Sequence, residues 1–483
     1  MLATTKHLVS TEDQLSYLAE MFFSNDENVR SAVITALAEL PSNTYVGDGS
    51  LETQAARAVL RLGALEAKTA EMATTTAEAL GLEADEDLLI ELIDFTKKEG
   101  METEVQLLIA KAVAQVLGEL EDPAMSPTAL DLLTERFRED ASSRVCVARC
   151  LQEVFGGDLE EATVVKAFRF ILRQGLGLTD GEDAVDLRDV LLAAGIALIE
   201  KHGDAHFDVL FTTIEEFEDS GAGKTAGESA RLGIAVFLGA LSKHLPADHP
   251  KLPEILPRLL QRLLDPTSTV SVQNAIVKVM PPLMKQNKEK ATETLEQLLE
   301  TALAPKTHER TRRGAAMGLG ATVKGLSIQA VSQHGILKKI EAAAEDKKQA
   351  AVREGALLCL EGLTLSLGRL FDPYVVNSLP LLLQAFSDSS RNVQQASQSA
   401  AKTMMSQLSG PGVKQVLKPL LEGIKDPQWR TKLGSIELLA AMTSCLPKQL
   451  SACLPQVVPA LCCVINDQHA KVKAAARESL DKT

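Results

Sequence analysis

Between Gly412 and Leu446 the chain reads GVKQVLKPLLEGIKDPQWRTKLGSIELLAAMTSCL, and this stretch constrains the fold more than any other. Val413, Val416, Leu417, Leu420, Leu421 and Ile424 recur at one- to four-residue steps that place them on one face of a helix. Lys425-Asp426-Pro427 follows as a turn, with Asp426 expected as an N-cap and Pro427 at the first position of a second helix. That helix sets Leu433, Ile436, Leu439, Ala440 and Thr443 on its inner side, and Pro447 ends it. Neither helix can bury its stripe alone, so the pair requires neighbours of its own kind.

The spacing of turn acids supplies those neighbours. Asp346, Asp388, Asp426 and Asp467 lie 42, 38 and 41 residues apart; Pro305 precedes Asp346 by 41, and Asp265 precedes Pro305 by 40. A period near 40 with two helices in each repeat predicts an all-α fold, a HEAT/armadillo-like α-solenoid, whose repeats run to roughly 40–47 residues. About twelve helix pairs fit the length, with seven regular ones at the C-terminal side. Upstream, pairs are expected over 12–40, 51–80, 87–117, 128–155, 162–202 and 207–245. The Gly- and acid-rich run GLGLTDGEDAVD interrupts the fifth, and Glu218 to Glu228 forms a long connection in the sixth. Neither end carries the polar terminal cap of a finished solenoid, so both ends are expected to continue in a longer array.

Charge divides the chain where regularity does. Residues 1–250 hold 20 Lys+Arg against 45 Asp+Glu, a net −25, and residues 251–483 hold 30 against 20, a net +10, together the −15 of the whole chain. The expected domains are an acidic, less regular array over 1–250 and a regular, basic one over 251–483, the latter suited to RNA or acidic protein. The longest apolar run, Val190 to Ile199, is too short for a membrane span. Seven scattered cysteines without a CxxC read as buried thiols in a reducing compartment; Cys146 and Cys150, one helical turn apart, read as core residues in preference to a metal pair.

The candidate chemical motifs fail one by one. Gly221-Ala222-Gly223-Lys224-Thr225 resembles the end of a phosphate loop, but Glu218 stands where the motif needs glycine and acids flank it. Leu408-Ser409-Gly410-Pro411-Gly412 resembles the start of an ATPase signature without any Walker A, and reads as a helix C-cap stopped by proline. No catalytic, cofactor, metal or small-molecule site is expected. What remains is cationic: Arg310, Arg312 and Arg313 beside the first turn, Lys347 and Lys348 after Asp346, Lys425, Trp429, Arg430 and Lys432 around Asp426, and Lys471 near Asp467. Equivalent places in successive repeats align along one edge, which could track a phosphate backbone with Trp429 stacking on a base or packing on a partner. The competing assignment is a ladder joining neighbouring repeats, with Asp26–Arg30, Asp346–Arg353 and Asp467–Lys473 as its expected pairs.

Five segments carry a family resemblance: RRGAAMGLGATVKGLSI (312–328), REGALLCLEGL (353–363), FDPYVVNSLPLLLQAF (371–386), WRTKLGSIELLAAM (429–442) and PKQLSACLPQVVPAL (447–461). They resemble the central HEAT region of the general-control translational activator, the ribosome-bound activator of the amino-acid-starvation kinase, and the similar N-terminal HEAT domain of fungal elongation factor three. The match is specific over about 300–480, fainter over 205–300 and weak before that. It implies a cytoplasmic, ribosome-associated scaffold in stress-responsive translational control that binds an ABC-type ATPase. The family's kinase-binding segment lies further toward the C-terminus and has no counterpart here, so the chain is expected to be a fragment or a short relative. The alternative is a transport-receptor or phosphatase-type scaffold that holds basic peptides on its acidic half.

Overall fold

The computed structural model describes residues 11–40, 51–80, 82–120, 122, 124–179, 185–244, 251–445 and 453–482, and all the regular structure among them is helical. The chain divides into two compact units, 1–244 and 245–483. In the first unit the helices are α1 (Thr11–Phe22), α2 (Glu27–Ala38), α3 (Leu51–Leu65), α4 (Ala70–Leu80), α5 (Glu86–Asp94), α6 (Thr103–Glu119), α7 (Met125–Glu139), α8 (Arg144–Phe155), α9 (Glu161–Phe170), α10 (Val185–Asp219), the single turn α11 (Gly221–Lys224) and α12 (Glu228–Leu241). A break at His206, with φ −123° and ψ 27°, divides α10 so that it closes one pair and opens the next. The connection expected to be a loose loop holds α11, whose start is capped by Ser220 Oγ accepting from the Gly223 amide at 3.1 Å.

In the second unit the pairs are α13 (Leu252–Leu263) with α14 (Val270–Gln286), and α15 (Lys288–Leu303) with α16 (Glu309–Leu326). After the short α17 (Gln329–Gln333) come α18 (Ile336–Ala344) with α19 (Ala350–Leu367), α20 (Asp372–Ala385) with α21 (Arg391–Gln407), and α22 (Gly410–Gly423) with α23 (Trp429–Cys445). The last described pair is α24 (Leu454–Val464) with α25 (Ala470–Lys482).

The first helix of a pair behaves as the pattern predicts. On α22, Val413, Val416, Leu417 and Leu420 are buried, as is Ile424 just past its end, while Leu421 is half-buried. Each fully covered leucine contributes about 1.5–3 kcal/mol. The second helices are different. On α16 every residue from Gly314 to Val323 is buried, and on α19 every residue from Glu354 to Thr364. A second helix is flanked by the second helices of the pairs before and after it, so it buries two flanks and not one stripe. This is why α23 buries Leu438 as well as Ile436 and Leu439 and leaves Leu433 and Ala440 half-buried; the side chain of Thr443 lies outside the described residues.

Two expected caps move. Ser409 is an N-cap, not part of a C-terminal stop: its Oγ accepts from the Gly412 amide at 3.3 Å, and Pro411 sits in the first turn of α22, where its missing amide costs nothing. Pro427 lies in the turn, since α23 begins at Trp429 and Asp426 Oδ1 accepts from the Gln428 amide at 2.7 Å. The thiols divide too. Cys146, Cys150, Cys359 and Cys453 are buried, and burial pushes Cys359 up to about 12. Cys462 and Cys463 are exposed because the buried stripe of α24 runs Val457, Leu461, Val464 and passes them by.

Where α16 crosses α19 the backbones approach too closely for a methyl group. A Cβ on Gly362 would stand 2.3 Å from the Ala316 carbonyl oxygen, and one on Gly320 2.1 Å from that of Gly362. Gly362→Ala is therefore expected to destabilise the second unit by about 1–3 kcal/mol in urea melts, because the crossing must open. Gly118→Ala, where a new Cβ meets nothing within 4 Å, should be neutral or stabilising by up to about 1 kcal/mol, the ordinary helix gain. Equal effects at the two positions would show that the crossing is not the constraint.

Candidate functional site

The turn between the two helices of a pair repeats one device. The turn aspartate accepts from the amide two residues on: Asp26 from Asn28 at 2.9 Å, Asp140 from Ser142 at 2.9 Å, Asp265 from Thr267 at 2.7 Å, Asp346 from Lys348 at 2.8 Å, Asp388 from Ser390 at 2.7 Å, Asp426 from Gln428 at 2.7 Å and Asp467 from His469 at 2.8 Å. These carboxylates supply the free amides at the start of the second helix. At Asp346 the amides of Gln349 and Lys348 hold the carboxyl below the usual range.

A ladder exists, but shifted by one repeat from the expected pairs. Arg353 donates to its own turn only through the Asp346 carbonyl oxygen, at 2.8 Å; its guanidinium crosses to Asp388 of the next turn with two bonds of 2.7 and 2.8 Å. Arg30 likewise donates to the Ser24 carbonyl at 3.1 Å and pairs with Glu66 of the next turn at 2.7 Å. Asp467 is met from the preceding repeat by Lys432 at 2.8 Å, not by Lys473. The shift has a simple cause. Asp388 and Asp467 are each already held by an amide of their own turn, so the lone pairs left over face the preceding repeat.

The candidate edge residues divide accordingly. Arg312 is buried, at 4% exposure, donating to Glu354 at 2.9 Å and to the Thr307 carbonyl at 2.8 Å; Lys432 is committed to Asp467. Both belong to the inter-repeat ladder and neither is available to a partner. Arg313 is half-buried, whereas Arg310, Lys347, Lys348, Lys425, Arg430 and Lys471 are exposed. Trp429 is half-buried and stacks on His469 of the next repeat, with ring centroids 3.9 Å apart and planes 9° apart. The Arg430 guanidinium carbon lies 4.8 Å from the Trp429 ring centroid and the Lys471 ammonium 5.9 Å. Trp429, His469, Arg430 and Lys471 thus form one aromatic, cationic patch at the α22–α23 and α24–α25 turns. Sequence reasoning missed His469, whose only signal is its place two residues after a turn aspartate.

Among the described residues no cluster of three His, Cys, Asp or Glu side chains is placed to hold a metal, and no helix is long and apolar enough to cross a membrane.

Two HEAT-repeat families match the chain: "Stalled ribosome sensor GCN1, HEAT repeats" over residues 63–243 and "EF3 N-terminal HEAT repeat" over 312–480. The eIF-2-alpha kinase activator GCN1 of Dictyostelium discoideum is 39% identical over 340 residues, 70% of this chain and 12% of that protein. The stalled ribosome sensor GCN1 of Homo sapiens is 34% identical over 419 residues, 83% of this chain and 15% of that protein. Elongation factor 3 of Gonapodya prolifera is 32% identical over 185 residues, 38% of this chain and 17% of that protein. Among solved structures, karyopherin Kap95p from its RanGDP complex superposes with a TM-score of 0.51 at 13% identity, over 98% of this chain and 60% of that one. Kap121p bound to Ste12p gives 0.51 at 15%, over 99% and 50%; at such identity the likeness is one of fold alone. Fold and matches together define the class, an α-solenoid of HEAT repeats. Within it the chain belongs to the GCN1 family, with an elongation-factor-three-type HEAT segment over 312–480, and it spans 12–15% of the length of the GCN1 relatives described above. The likeness extends back to residue 63, into the half whose repeats are least regular in sequence.

The ladder makes a pH prediction. Burial pushes the Asp388 carboxyl up, but Arg353 and the Ser390 amide outweigh it and hold the group below the usual range. A lowered carboxylate stabilises above its unfolded value, about 3.9, and that contribution is lost as pH falls through the folded value. Glu354 has the opposite sign: burial outweighs Arg312 and raises it, so its contribution is largest at low pH and declines as pH rises. Asp388→Asn should lower stability at pH 7 by about 1–3 kcal/mol and make the acid decline shallower, read as urea midpoints from Trp429 fluorescence. An acid limb as steep as that of the wild type would mean another group titrates there.

Proposed function

We propose that this chain is a non-catalytic scaffold segment in translational control, which contacts the ribosome through the exposed cations of the second unit's turns. The observation that carries the reading is a division of labour at the turns. Asp388 and Asp467 are neutralised by Arg353 and Lys432 inside the solenoid, while Arg310, Lys347, Lys348, Lys425, Arg430 and Lys471 point outward. An edge of this kind binds phosphate by counterion release, and the Trp429–His469 stack adds an aromatic face beside it. Homology to proteins named as stalled-ribosome sensors and kinase activators supports the same direction. The reading extends to the two partners that the family resemblance implies, an ABC-type ATPase and, through segments outside this chain, the starvation kinase. The working compartment is the cytoplasm.

Charge reversal tests this. With Arg310, Lys347, Lys348, Lys425 and Arg430 all changed to Glu, the circular dichroism should be unchanged, since these side chains are solvated. Co-pelleting with purified ribosomes should fall at least about tenfold and lose most of its salt dependence, because fewer counterions are released. Reversal of Glu83, Glu86 and Asp87, exposed residues of the acidic unit, should leave pelleting intact. A turn variant that pellets like the wild type would remove the edge from the contact.

A further inference from the structure

The first unit is strongly acidic, yet it contains a concentrated patch of positive charge. Between α7 and α9 lies a cleft of about 300 Å³ lined by Arg138, Lys166, Arg169, Arg173, Gln174 and the edge of Phe170, with no acid among its lining residues. Four of the 20 basic residues in a segment of net charge −25 meet in this one place.

Three features make the cleft more than a chance cluster. The first is spacing. Lys166, Arg169 and Arg173 follow at three and four residues, so they form a stripe along one helix face about 10 Å long, and Arg138 stands across from it. The second is the backbone. After Phe170 the helix widens into a π-turn over Ile171–Gly175, closed by the Leu176 amide donating to the Ile171 carbonyl. Such turns are rare and are frequent at functional sites; here the turn carries Arg173 and Gln174 into the cleft, where Gln174 Oε1 accepts from Arg138 Nε at 2.7 Å. The third is availability. Lys166 pairs with Asp131 at 2.5 Å and Arg169 with Glu216 at 2.9 Å, but all four side chains are about half exposed, so these pairs are worth little and can be exchanged for a ligand's anion. Among the described residues Arg138 meets only the neutral amide of Gln174 and the ring of Phe170, 6.0 Å from its guanidinium carbon. Arg173 forms no ion pair among the described residues.

We propose that the α7–α9 cleft binds an extended acidic peptide of a partner protein, with two of its anionic side chains seated on the Arg138–Lys166–Arg169–Arg173 cluster. Alternate residues of an extended peptide project to the same side about 7 Å apart, which fits the length of the stripe. The guanidinium forks suit carboxylate and phosphate alike. A nucleic acid is disfavoured by the surroundings: its continuous phosphate charge would have to approach a segment, residues 1–250, of net charge −25, whereas a short peptide brings its charge only to the cleft. This site is independent of the ribosome-facing turns of the second unit.

The test uses the full chain and three labelled probes of equal length: an Asp/Glu-rich peptide, the same peptide with two phosphoserines, and oligouridine. Binding is followed by fluorescence anisotropy and located by amide hydrogen exchange. At least one acidic peptide should bind and slow exchange over residues 171–176. The double variant Lys166→Glu with Arg173→Glu should weaken that peptide at least about tenfold and abolish the local protection, with circular dichroism unchanged. Whichever peptide binds more tightly identifies carboxylate or phosphate as the preferred anion. The proposal is overturned if neither peptide protects residues 171–176, if the double variant binds as tightly as the wild type, or if oligouridine displaces the peptide from the cleft. Substitutions at the basic turns of the second unit should leave the protection at 171–176 unchanged, so failure here and failure of the ribosome reading are separately visible.

Discussion

The structure rests on second helices that are buried on both flanks. α16 and α19 each keep about three consecutive turns out of solvent, which is possible only because a like helix lies on either side. Burial of this kind cannot be met within one pair, so repeats exist only as an array. It also explains the composition of these helices. Close crossing of two backbones requires small residues at the contact, and GAAMGLGATV in α16 and the Gly355 and Gly362 positions of α19 supply them. Aromatic side chains would hold the helices apart, consistent with an aromatic content of only 4%.

Polar interactions set the register that apolar burial leaves free. Small, smooth helix surfaces could slide past one another, but Arg353 on Asp388, Arg30 on Glu66 and Lys432 on Asp467 each tie a second helix to the turn that follows it in the stack. A buried pair such as Arg312–Glu354 adds little net stability once desolvation is counted; burial raises the Glu354 carboxyl in spite of Arg312. Its value lies in direction: a repeat displaced along its neighbour would leave two charges buried and unpaired, which is far more costly than losing the pair altogether.

Much of this was legible in the chain itself, and the exceptions follow a rule. The period, the helical class and the break near His206 are local signals, written in turn acids, apolar spacing and polar interruptions. Which partner an ionic side chain takes is not local. Arg312 and Arg310 look alike in sequence, two residues apart on one helix; one turns into the stack and the other into solvent. Lys432 meets Asp467 on the following repeat, whereas Lys473 forms no ion pair among the described residues. Ser409-Gly410-Pro411 could end one helix or begin another, and the order of helices decides for the second. The wide second-helix interface was underestimated for the same reason, since a helix buried on two flanks has no clean stripe to read.

The charge of each half also says less about sites than it seems to. A net value reports the long-range field, which governs steering and non-specific attraction. A ligand contact is decided over a few ångströms by side chains that several helices bring together. Residues 1–250 carry an excess of 25 acids over bases, and still α7 and the π-turn after α9 gather Arg138, Lys166, Arg169 and Arg173 around one cleft. In the second unit the excess of basic residues overstates what is available, since Arg312, Arg353 and Lys432 are spent between repeats. Counting only charges left unspent by the fold converts an acidic half and a basic half into two local cationic surfaces of different shape. One is a set of exposed turn cations beside an aromatic patch, the other a half-open cleft with an aromatic wall.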